Sequence, residues 1–176
     1  MSNNTLMFTA TEHGQAMHAK VKAFIETHIE PIEAQFWHDC HEQNPDGNWR
    51  NWQWPEKYES LRKQAREAGL WNLFLPDDTL GAGLSVTDYA PIAELTGRSL
   101  LAPYVFNCNA PDSGNMELLW RYGSKEQQDK WLTPILEGKT RSVFCMTEPD
   151  VASSDATNMQ ATAVVEGDEI VINGSK

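Results

Sequence analysis

The period of the apolar residues changes once along this chain, at Arg141, and that change limits the folds open to it. Before it, apolar residues recur at three- and four-residue intervals, the spacing of a buried helix face. After it come short runs rich in β-branched residues, RSVFCM, ATAVV and EIVIN. The last two flank Glu166-Gly167-Asp168, a turn suited to a hairpin. Two or three strands bury no sheet face by themselves. The chain of 176 residues is therefore expected to be mainly α, with a helical domain over residues 1–140 and the opening of a second, β-rich domain over 141–176.

Within the helical part, Thr9 and Glu12 read as a capping box, followed by the stripe Met17, Val21, Phe24, Ile25, Ile32 and Phe36. Pro31 has no donor for the carbonyl of Thr27, so a kink or break is expected there. Residues 44–54 combine the turn Pro45-Asp46-Gly47 with Trp49, Trp52 and Trp54, which predicts a packed loop rather than a linker. Pro55 suits the first position of a helix that buries Tyr58, Leu61, Ala65 and Ala68 and ends at Gly69, with Leu70 as the contact after the cap. Ser85 and Asp88 open another helix, which holds Pro91. Residues 112–122 make a short helix closed by Gly123. Ser124 and Gln127 then cap a helix that runs to Glu137, stops at Gly138 and buries Trp131, Leu132, Ile135 and Leu136.

Charge and cysteine usage exclude several functions. Asp and Glu number 25 against 14 Lys and Arg, a formal charge of −11, so nucleic acid and anionic membrane surfaces are not expected partners. Cys40, Cys108 and Cys145 are odd in number and far apart, which fits neither a disulfide framework nor a structural zinc site. No secretory leader and no membrane span is legible, and a cytoplasmic protein is expected. His38, Cys40 and His41 sit close in sequence, but position 40 points away from the helix face shared by 38 and 41, so no metal is assigned. Gly81-Ala82-Gly83 lacks the Gly-Lys-Ser/Thr of a phosphate loop and reads as a turn.

Chemistry concentrates in Phe144-Cys145-Met146-Thr147-Glu148-Pro149-Asp150-Val151-Ala152-Ser153-Ser154-Asp155, a strand running into a turn crowded with hydroxyl side chains. Backbone amides with Thr147, Ser153 and Ser154 suit the carbonyl edge of a planar heteroaromatic ring or a phosphate, and an ordinary Ser- and Asx-capped turn has the same composition.

This stretch resembles the TEP-x-x-GSD signature of acyl-CoA dehydrogenases, in the TEPxVASSDATN variant of one subgroup. The resemblance extends upstream through Gly69-Leu70-Trp71, Leu75-Pro76, Gly81-Ala82-Gly83 and Arg121 to Gln127, and downstream through Gly167-Asp168 and Ile172 to Lys176. It implies the amino-terminal helical domain of the acyl-CoA dehydrogenase fold and the first strands of its middle β-barrel. A carboxy-terminal four-helix bundle would follow, with FAD between barrel and bundle. It further implies fatty acid β-oxidation chemistry: alpha-proton abstraction from an acyl-CoA thioester, hydride transfer to flavin, a trans-2-enoyl-CoA product, and an electron-transferring flavoprotein as acceptor. The full-length protein is expected to be a homo-oligomer.

Carried over by position, Phe144, Met146 and Thr147 lie along the isoalloxazine, Ser153 joins the cofactor contacts, and Ser154 touches both flavin and substrate. Ser153 stands where glycine is usual, after one residue more than the commonest spacing. Glu148 belongs to the flavin loop and is not the base. The family's base comes from the carboxy-terminal bundle, so no catalytic residue is assigned and residues 1–176 alone are expected to be inactive. An acyl-CoA oxidase or flavin monooxygenase of the same fold is an alternative, separated by the reaction of its reduced flavin with oxygen. A non-catalytic helical interaction module is another, and the unpaired strands after Arg141 argue against it.

Overall fold

Thr11, rather than Thr9, begins the first helix. Its hydroxyl accepts from the amide of Gly14 at 3.1 Å in the computed structural model, which describes residues 9–48, 50, 53–152 and 155–176. The chain divides into two compact units, Met1–Arg141 and Ser142–Lys176.

In the first unit, α1 (Glu12–Phe24) widens into a π-helical turn, Ile25–Ile29, before the chain breaks and resumes as α2 (Glu33–Gln43). The widening comes two residues ahead of Pro31, which has no amide to return to Thr27. The same device recurs at Gln128–Leu132, two residues ahead of Pro134, between α7 (Lys125–Gln127) and α8 (Thr133–Leu136). Between them lie α3 (Glu59–Glu67), α4 (Val86–Thr96), α5 (Ala102–Val105) and α6 (Asp112–Tyr122). The capping boxes expected at Ser85/Asp88 and Ser124/Gln127 are both formed. After α3, Leu70 donates to Ala65 and Gly69 to Arg66, the paired bonds of a Schellman cap, and Leu70 is buried.

Asp88 ties two helix starts together. One carboxylate oxygen accepts from the Ser85 hydroxyl at 2.7 Å, and the other from the amide and hydroxyl of Thr11 at 2.7 and 3.0 Å. These bonds hold its carboxyl below the ordinary range, the Ser85 hydroxyl contributing most. α1 comes so close here that a Cβ on Gly14 would lie 2.3 Å from the Asp88 carboxylate.

The apolar side chains form two clusters, one on Phe24, Ile25, Ile29, Phe36, Leu61, Leu70 and Phe106, the other on Leu75, Met116, Leu132, Ile135 and Leu136. The seam between them is polar and buried. Asn72 and Asn107 both adopt positive φ, 53° and 55°, and the Asn107 amide donates to the Asn72 side-chain oxygen at 2.7 Å. The Leu136 carbonyl at the end of α8 gathers donors from Trp71 Nε1 (2.7 Å), Asn72 (3.1 Å) and Asn107 (3.4 Å). Asn72 also donates to the Leu80 carbonyl, which fixes the 75–84 loop.

Several expectations need correction. Trp131 is 47% exposed, since the π-helical turn shifts it off the buried face of Leu132 and Ile135. Ala68 is exposed because the chain has already turned toward the Gly69 cap, and Ile32 is only partly buried, lying in the break after Pro31. In the loop after α2, Trp54 stacks on Tyr104 with ring centroids 4.7 Å apart, as a packed loop requires. Trp49 and Trp52 lie outside the described residues.

In the second unit, β1 (Thr162–Glu166) and β2 (Glu169–Asn173) pair antiparallel with Glu166 opposite Glu169, the expected hairpin. Residues 141–146, expected as a strand, have no ladder partner among the described residues, and Met146 donates back to the Phe144 carbonyl at 3.1 Å in a tight turn centred on Cys145.

The asparagine seam makes a prediction. Asn72→Ala removes the Asn107 acceptor and one donor to the Leu136 carbonyl in a buried site and places alanine at positive φ. A loss of about 2–3 kcal/mol is expected in denaturant unfolding of the chain. Wild-type stability would contradict a structural role for the seam.

Candidate flavin-loop site

The extended stretch before Pro149 owes its course to one buried side chain. Glu148 is 6% exposed, and its carboxylate accepts from the backbone amides of Gln160 at 2.7 Å and Ala161 at 3.0 Å, where the chain enters β1. The Lys176 ammonium lies 2.9 Å from the same carboxylate and donates to the Met146 carbonyl at 3.1 Å. The amide of Gln160, then Lys176, then the amide of Ala161 hold the Glu148 carboxyl down at about 2. A carboxylate so surrounded by donors is a poor proton acceptor at neutral pH.

Gly174 lets Ser175 and Lys176 reach this point. It has φ +146°, and a Cβ there would sit 2.6 Å from the Cβ of Ala161. Further along, Asp155 caps a single 3-10 turn, Ala156–Asn158, accepting from the amide and hydroxyl of Thr157.

The proposed cofactor residues are placed as follows. Phe144 is 72% exposed, Met146 half-buried and Thr147 exposed. Among the described residues Thr147 makes no hydrogen bond through its amide or hydroxyl, so two donors sit on an exposed, anchored segment. That arrangement fits the polar edge of an isoalloxazine, which accepts such bonds. Ser153 and Ser154 lie outside the described residues. A polar cleft of about 270 Å³ beside Glu148 and Ser175 is smaller than an enclosed cofactor site requires. Sequence reasoning missed Lys176 and Gly174 as parts of the loop's support. Asn173-Gly174 has the composition of a turn, but nothing local marks a contact with Glu148.

Neither a metal nor a membrane enters the site's description. Among the described residues no three His, Cys, Asp or Glu side chains converge on a metal position, and no helix is long and apolar enough to cross a membrane.

Residues 11–139 match the acyl-CoA dehydrogenase, N-terminal domain. The chain is 49% identical over 172 residues to acyl-CoA dehydrogenase family member 11 of Gallus gallus and 49% identical over 170 residues to the Homo sapiens protein of that name. Each alignment covers 97% of this chain and 21% of the relative, so the chain spans about a fifth of their length. A solved structure assigned to the acyl-CoA dehydrogenases, from Mycobacterium abscessus, superposes with a TM-score of 0.84 at 57% identity, covering 95% of this chain and 42% of that one. A chain from the structure of the electron transferring flavoprotein of Acidaminococcus fermentans superposes at 0.51 with 26% identity, covering 96% of this chain and 40% of that one. The chain belongs to the acyl-CoA dehydrogenase family, a family of flavoprotein oxidoreductases of fatty acid metabolism.

Because its carboxyl is held below the usual 4.5, Glu148 stabilises the fold fully above about pH 4.5, and the contribution is lost as pH falls toward about 2. The Glu148 carboxyl resonance, followed by NMR, should therefore show no inflection between pH 4 and 8. An inflection near 4.5 or above would contradict the clamp.

Proposed function

We propose that residues 1–140 are the helical amino-terminal domain, and residues 141–176 the start of the middle β-barrel domain, of an FAD-dependent acyl-CoA dehydrogenase. The observation that carries this is the anchored segment at Thr147, an exposed residue whose amide and hydroxyl make no hydrogen bond among the described residues, next to a buried, ionised Glu148. Family membership and 57% identity to the superposed acyl-CoA dehydrogenase structure support it.

In this reading Thr147 would donate to the isoalloxazine edge with Phe144 and Met146 along the ring, and Ser153 and Ser154 would add contacts, Ser154 also toward the substrate. FAD held there would supply the hydride acceptor for the beta carbon of an acyl-CoA. Donors held at the ring edge favour negative charge there in the reduced state. The alpha proton passes to a carboxylate outside residues 1–176, which leaves this chain the roles of binding and orienting. These residues alone are then inactive. The likeness to a chain from an electron transferring flavoprotein structure supports such a flavoprotein as electron acceptor. A cytoplasmic, homo-oligomeric full-length protein completes the proposal.

The test is anaerobic titration of the yellow, purified complete gene product with saturated acyl-CoAs of increasing chain length. The visible flavin band should bleach with at least one of them and a trans-2-enoyl-CoA should form. Bound flavin that no acyl-CoA bleaches would overturn the dehydrogenase reading, and fast reoxidation by oxygen would favour an oxidase.

A further inference from the structure

We propose that Glu148 and Lys176 are positioning residues for the flavin site, fixing the chain on both sides of Thr147 so that its amide and hydroxyl are in place before the cofactor arrives. The proposal rests on the preceding reading that Thr147 bonds the isoalloxazine.

The contacts converge on the two neighbours of Thr147 and pass it by. On one side Lys176 Nζ donates to the Met146 carbonyl at 3.1 Å. On the other, the Glu148 carboxylate accepts from the Gln160 and Ala161 amides at 2.7 and 3.0 Å, and Lys176 joins the two sides through its 2.9 Å contact with Glu148. Lys176 is itself held by the Met159 thioether at 3.1 Å. Residues 146–148 are thus tied to the entry of β1 and to the chain just beyond β2, while Thr147 remains exposed.

The chemistry suits preorganisation rather than catalysis. Bonds in which one partner is charged are stronger and shorter than neutral ones, and all of these involve a carboxylate or an ammonium. A short extended segment next to a turn at Cys145 pairs with no strand among the described residues, and these side-chain ties are what hold it there. Cofactor sites lose affinity when the shell behind the contacting residue is removed, because the contact then has to be ordered at the moment of binding. The Gly174 contact with Ala161 belongs to the same device, since the chain must pass this closely for Lys176 to reach Glu148.

The test uses the complete gene product stripped of flavin, in wild-type form and as Thr147→Val, Glu148→Gln, Lys176→Met, Lys176→Arg and the double variants with Thr147→Val. FAD affinity is read by fluorescence titration, the flavin midpoint potential by dye equilibration, and backbone exchange at Gln160 and Ala161 by hydrogen–deuterium mass spectrometry before FAD is added. Glu148→Gln and Lys176→Met should each weaken FAD binding roughly tenfold and shift the potential in the same direction as Thr147→Val. Either should cost less in the Thr147→Val background than alone. Exchange at Gln160 and Ala161 should accelerate in Glu148→Gln, and Lys176→Arg should recover part of the affinity. Should Glu148→Gln fail to fold, Lys176→Met leaves the two amide bonds intact and carries the test. FAD uptake with wild-type affinity and potential in both variants, or losses fully additive with Thr147→Val, would overturn the positioning role alone. Wild-type protein that takes up no FAD would overturn the cofactor reading and this proposal with it.

Discussion

Both units are organised by a buried acceptor that collects donors from segments distant in sequence. In the helical unit it is the carbonyl of Leu136, which ends α8 and receives the Trp71 indole and the amides of Asn72 and Asn107. A helix end buried without such partners is costly, so the two asparagines accept positive φ in order to serve it. Their seam sets the register of one apolar cluster against the other. In the hairpin unit the acceptor is the Glu148 carboxylate, which receives two backbone amides and an ammonium.

The same physics explains which groups are set aside for function. A donor or acceptor used for structure is buried and answered, as Asp88 is by Ser85 and Thr11. Thr147 differs from its neighbours in being exposed on a segment that is otherwise tied down. That contrast, rather than the hydroxyl-rich composition of residues 149–155, is what the proposed cofactor contact at Thr147 rests on.

Much of the fold was legible in the sequence because helix caps are local. Ser85 with Asp88, Ser124 with Gln127, and Gly69 with Leu70 announce their bonds within a few residues. The first cap was misplaced by two residues because Thr9 and Thr11 carry the same hydroxyl, and only the contact of Thr11 with Asp88, 77 positions away, selects between them. Trp131 was misassigned for a related reason, since a π-helical turn alters the angle between successive side chains and periodicity assumes it constant. For the candidate site, the motif points to the segment by family resemblance, while the partners of Glu148 lie 12 to 28 residues onward and leave no local trace.

A crystal structure of the complete gene product with FAD bound tests the central claim most directly. The account predicts the amide or hydroxyl of Thr147 within hydrogen-bonding distance of the isoalloxazine edge, with Glu148 still turned into the hairpin. A flavin bound elsewhere, or Thr147 facing away from it, would contradict the account.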